Sequence, residues 1–64
     1  MPKVRRGGYV FRSWQDDHDP PHVHVYRDGK LVVKWNLERW EPMKGAASAR
    51  VVRLIRELVN EGRL

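Results

Sequence analysis

His22-Val23-His24-Val25-Tyr26-Arg27-Asp28-Gly29-Lys30-Leu31-Val32-Val33-Lys34-Trp35 is the stretch on which the fold turns. Apolar residues alternate with histidine, tyrosine and lysine on either side of a polar, glycine-bearing centre, the pattern of two half-buried strands joined by a tight turn. The length of that turn decides which side chains share a face. A two-residue Asp28-Gly29 turn pairs Tyr26 with Leu31, His24 with Val33 and His22 with Trp35, setting histidines against the apolar row. A three-residue Arg27-Asp28-Gly29 loop, with Gly29 as a left-handed bulge residue, pairs Tyr26 with Lys30, His24 with Val32 and His22 with Lys34. Val23, Val25, Leu31, Val33 and Trp35 then share one face. Because a slip of one residue turns every side chain over, the hydrophobic pattern selects the three-residue loop and predicts that His22 and His24 point away from the core.

Upstream, Val4-Arg5-Arg6 and Tyr9-Val10-Phe11-Arg12-Ser13-Trp14 flank Gly7-Gly8, a pair suited to the positive φ angles of a two-residue hairpin turn. The predicted partners are Arg6 with Tyr9, Arg5 with Val10, Val4 with Phe11 and Lys3 with Arg12. Val4, Tyr9 and Phe11 take one side, and Lys3, Arg5, Arg12 and Trp14 the other. Gln15 to Pro21 reads as a loop, since Asp16, Asp17 and Asp19 break strands and Pro20-Pro21 removes two donors.

Downstream, Leu37 to Gly45 contains Trp40, Pro42 and Gly45 and is expected to be a connecting loop, with Trp40 closing the edge of the core. Ser48 is a good N-cap. Behind it Val51, Val52, Leu54, Ile55, Leu58 and Val59 recur at helical spacing, predicting a helix over about 49–61. The expected fold is α+β: a small antiparallel sheet of about four strands, with one C-terminal helix packed on one face. Residues 1–64 are read as a single domain with hairpins over 3–14 and 22–36.

A chain of 64 residues buries only about 60% of its unfolded surface, so a small core makes a partner or a homodimer an expectation. The absence of cysteine excludes disulfides and thiolate metal sites and suits a reducing cytosol. No apolar run approaches the roughly 18 residues of a membrane span, which predicts a cytoplasmic protein without membrane contact. Thirteen Lys and Arg against eight Asp and Glu leave +5, with a pI near 10.3. Such a balance points to a polyanionic partner, RNA above all, although small domains also keep net charge for solubility.

The second face of the sheet is predicted to stay uncovered and to collect Lys3, Arg5, Arg12, Trp14, His22, His24, Tyr26, Lys30 and Lys34. Three chemistries suit it. The first is metal-independent RNA cleavage by His18, His22 and His24, one imidazole taking the 2′-hydroxyl proton and a protonated one serving the leaving oxygen. Lys34 opposite His22 would favour the neutral imidazole there, while the aspartates would keep His18 protonated. The second is a metal site of His18, His22 and His24 with an aspartate, opposed by the neighbouring positive charge. The third is phosphate or protein binding without chemistry, through Lys3, Arg5, Arg12, Trp14, Tyr26, Lys30 and Lys34. No cofactor is called for.

At His18-x-Pro20-Pro21-His22-Val23-His24-Val25 the chain resembles a bacterial family known as Domain of Unknown Function 4160. The likeness runs from the Arg-rich start through the Tyr9-Val10-Phe11 strand and the motif to the amphipathic helix. It implies one half of a toxin–antitoxin-like pair, with a cognate antitoxin-like protein as partner and RNA as target. The motif positions it carries are His18, Pro20, Pro21, His22 and His24.

Overall fold

The computed structural model describes residues 3–14 and 20–64, Trp14 in its backbone alone. Strands β1 (Lys3–Arg6), β2 (Tyr9–Trp14), β3 (His22–Arg27), β4 (Lys30–Asn36) and β5 (Glu41–Gly45) precede one helix, α1 (Ala49–Asn60). The strands form one five-stranded antiparallel sheet in the order β1-β2-β3-β4-β5. The architecture is α+β as expected, with five strands instead of about four. β1 and β2 pair in the expected register, Lys3 with Arg12, Val4 with Phe11, Arg5 with Val10 and Arg6 with Tyr9.

The central hairpin departs from expectation in its turn. Arg27 pairs with Lys30 and Tyr26 with Leu31, so the loop is the two-residue Asp28-Gly29 turn and not the three-residue one. Both turn residues have positive φ, 52° and 76°, the mirror-image geometry that matches strand twist. Beyond it the register shifts: Val25 pairs with Val33, His24 with Lys34, Val23 with Trp35 and His22 with Asn36, leaving Val32 unopposed. Turn chemistry and hydrophobic pattern make conflicting demands here. The Asp28-Gly29 turn pairs odd-numbered with even-numbered residues, whereas Val23, Val25, Val33 and Trp35 reach one face only if odd pairs with odd. One extra residue in β4, a bulge at Val32, satisfies both. Leu31, on the turn side of the bulge, is 42% exposed and leaves the apolar face to which the sequence assigned it.

Phe11, Val23, Val25, Val33 and Trp35 from the sheet close on Val51, Leu54, Ile55 and Leu58 from α1. Seven of these nine are essentially inaccessible, each contributing about 1.5–3 kcal/mol of burial. Ser48 caps the helix, its hydroxyl accepting from the Val51 N–H at 3.3 Å. Ser48→Ala is expected to cost about 0.5–1 kcal/mol, read as a lower urea midpoint at unchanged slope. Arg6 reaches from β1 to the other end of the helix, donating from both terminal nitrogens to Glu61 at 2.5 and 2.8 Å. That bond holds the Glu61 carboxyl below its ordinary pKa.

Residues 41–45 form an edge strand, β5, not a loop. Asn36 makes the turn into it: its side-chain oxygen accepts the Glu38 and Arg39 N–H groups, both at 2.8 Å, and its carbonyl accepts from Trp40 at 2.9 Å. Those bonds explain why a polar Asn36 is buried. Trp40 does close the core's edge, standing perpendicular to Trp35 at 5.7 Å with the Arg56 guanidinium 5.0 Å over its own ring. Pro42 is tolerated because an edge strand needs no inward donor at that position. Among the described residues no helix is long and apolar enough to cross a membrane.

Candidate nucleic-acid interface

Direct cross-strand partners project from the same face of a sheet. Following the partners away from α1 produces one continuous line: Lys3 faces Arg12, Arg12 faces His24, His24 faces Lys34 and Lys34 faces Lys44. Every strand supplies one member. With strands about 4.8 Å apart the line spans roughly 19 Å. Like charges placed directly opposite each other destabilise a sheet, so this row is a concentration of positive charge that folding alone does not favour. Ion pairs join Arg6 to Glu57 and Glu61, and Arg63 to Glu61, between β1 and the end of α1. A shorter line beside the row, Arg5, Val10, Tyr26 and Leu31, adds a cation and an aromatic ring.

Of the residues singled out in the sequence, Lys3, Arg5, Arg12, His22, His24, Tyr26 and Lys34 occupy positions on this face. Lys30 does not join them. It pairs with Arg27 and sits one position out of phase with Tyr26, on the helix side of the sheet, because the bulge at Val32 lies beyond it. Trp14 pairs with His22 through the backbone, its side chain lying outside the description. His18, Asp16, Asp17 and Asp19 lie outside the described residues. Lys44 was missed, since a stretch with Pro42 and Gly45 carries no strand alternation.

The two histidines of β3 are less open than an uncovered face implies. His22 is only 7% exposed and His24 is half-buried. The His22 Nδ1 lies 3.1 Å from the Pro20 carbonyl oxygen. A carbonyl can only accept, so Nδ1 carries the hydrogen and Nε2 holds the lone pair of the neutral ring. The Pro21 carbonyl accepts from the Leu37 N–H at 2.9 Å, which fastens the start of β3 to the end of β4. His22 and His24 meet edge to face, their ring centres 5.1 Å apart, and His24 lies 6.2 Å from Tyr26.

Burial, then the charges of His22, Lys34 and Arg12, pull the His24 pKa below its ordinary 6.5. Lys34 pairs with His24, whose pKa it helps to lower, where the sequence reading set it opposite His22. A folded-state pKa below the unfolded one means the unfolded chain binds more protons between the two values. His24 therefore costs nothing above 6.5 and removes stability as pH falls through 6.5 toward its lowered pKa. Thermal unfolding of the parent and of His24→Gln should differ by a constant amount above pH 7, with the parent losing stability relative to the variant as pH falls below 6.5. Parallel pH profiles would contradict this.

Among the described residues no group of three His, Cys, Asp or Glu side chains could hold a metal ion. A family model described as Domain of unknown function (DUF4160) matches residues 8–63. The chain belongs to that family. Comparison with the curated proteins and with the solved structures finds no match. The matched residues run from β2 to the end of α1 and leave out β1, and the family description assigns no chemistry.

Proposed function

We propose that this member of the DUF4160 family binds RNA along the line Lys3, Arg12, His24, Lys34 and Lys44, as the small basic component of a toxin–antitoxin-like pair. The observation that carries the reading is the row itself, four cations and one histidine aligned across all five strands. A polyanion relieves the mutual repulsion of such a row, and its phosphates release counterions on binding. The face favours a single strand over a duplex: it is a broad sheet with Tyr26 as a stacking ring, while α1, the element that would enter a major groove, has its apolar side in the core. The cognate antitoxin-like partner rests on the family resemblance alone.

Fluorescence anisotropy of a labelled single-stranded RNA against salt tests the reading. The logarithm of affinity should fall linearly with the logarithm of salt, with a slope of about −0.7 for each phosphate contact. Lys44→Ala should weaken binding and reduce that slope by about 0.7. Affinity independent of salt would overturn it. Protonation of His24 adds charge at the centre of the row, so binding should tighten as pH falls below 6.5.

A second reading, metal-independent cleavage of the bound RNA, is favoured by one specific arrangement. His24 is held neutral beside Arg12 and Lys34, as a general base requires, and His22 adjoins it with its tautomer fixed by Pro20. Cleavage that persists in EDTA and is lost in both His22→Ala and His24→Ala supports this reading. RNA left intact at high protein concentration excludes it and leaves binding alone.

A further inference from the structure

The row does not run off the sheet at β1; it opens into a cavity. About 360 Å³ of space, open to solvent on one side, is lined there by Lys3, Arg5, Val10, Arg12, Tyr26 and Gly29, a volume in the range of small-ligand sites. Three cations converge on it from two adjacent strands, and Val10 and the Tyr26 ring supply an apolar wall. Lys3 and Arg12 belong also to the row, so the cavity and the row are continuous.

An internal phosphodiester carries one negative charge. A terminal phosphomonoester carries about −1.5 to −2 at neutral pH and has three acceptor oxygens. Three convergent donors therefore match a chain end better than a point along the chain, and guanidinium groups such as those of Arg5 and Arg12 suit phosphate geometry. The ring of Tyr26, across from the cations, provides the surface on which the terminal base would stack.

We propose that this cavity captures the phosphorylated end of an RNA strand, with Lys3, Arg5 and Arg12 on the phosphate and Tyr26 against the last base. The inference rests on the reading that RNA lies along the row, and it adds that the strand is held by its end. A 5′-phosphate and a 3′-phosphate share the chemistry; the experiment separates them.

One short RNA sequence is prepared with a 5′-phosphate, with a 3′-phosphate, and with hydroxyls at both ends, and each is titrated into the full chain. One phosphorylated form should bind about tenfold tighter than the hydroxyl form, the worth of one charge-assisted contact. Arg5→Ala and Arg5→Gln should both abolish that preference, while Lys44→Ala weakens all three forms and preserves it. Equal affinity of the three RNAs overturns the proposal while leaving binding along the row intact. Nucleoside 5′- and 3′-monophosphates, with the unphosphorylated nucleoside as control, separate the two failures. If a monophosphate shifts the Val10 and Tyr26 amide resonances and Arg5→Ala removes the shift, but no RNA binds, the cavity stands and the row reading falls. If neither monophosphates nor phosphorylated RNA engage it, the cavity assignment falls as well.

Discussion

Gly45→Ala is expected to destabilise the protein by about 2–4 kcal/mol, a fall of roughly 10–25 °C in melting temperature for a domain of this size. Two separate effects add. Gly45 has φ of +78°, a left-handed conformation strained for any residue with a Cβ. In addition, a Cβ there would stand 2.4 Å from the Val32 carbonyl oxygen, a backbone atom that cannot swing aside. That oxygen belongs to the bulge residue of β4, so Gly45 is the position that leaves room for the bulge. Gly29→Ala serves as the control, with φ of +76° and nothing within 4 Å of the added carbon. It should cost only about 1 kcal/mol, the conformational part alone. Circular dichroism melts of both variants measure the difference, and equal losses would show that the contact with Val32 is unimportant.

Lys34→Glu is expected to move stability and RNA affinity in opposite directions. Lys34 stands between His24 and Lys44, and reversing its charge turns a like-charge pair with Lys44 into an attractive one. The melting temperature should hold or rise. Removing one phosphate contact and adding a repelling carboxylate at the middle of the row should weaken RNA binding by about tenfold to hundredfold at low salt. Arg53→Glu, on an exposed position of α1, changes net charge equally and should leave affinity within about twofold. An NMR titration of the variant supplies a third readout, since loss of the Lys34 charge should raise the His24 pKa. If Arg53→Glu weakened binding as much as Lys34→Glu, net charge and not the row would govern the interaction.

The first hairpin, the helix and the facing of His22 and His24 were legible in the sequence because each depends on a short-range signal: Gly7-Gly8, the Ser48 cap with its apolar spacing, and the alternation around Val23 and Val25. The bulge at Val32 was not. It arises from a conflict between the Asp28-Gly29 turn and the apolar pattern, and a three-residue loop would have resolved that conflict with the same facing. Choosing the wrong solution moved Lys30 onto the open face and Leu31 onto the core face, and it placed Lys34 against His22. Strand β5 was hidden for another reason. Its five residues are all exposed and include Pro42 and Gly45, so they bury nothing that would impose alternation. Losing β5 meant losing Lys44, and with it the far end of the row. The partial enclosure of His22 was equally invisible, since it depends on the Pro20 carbonyl and on neighbours distant in the chain.

A surface assembled from one residue per strand has no address in the linear sequence: positions 3, 12, 24, 34 and 44 form a line only while every turn between them keeps its length. The turns are therefore as much a part of the recognition surface as the charges. One residue inserted between Leu37 and Trp40 would dislodge Lys44 and leave the other four aligned, whereas removing the bulge at Val32 would throw Lys34 and Lys44 out of line together. Changing turn length, with no charge altered, would thus dismantle the row one hairpin at a time and grade its affinity in steps.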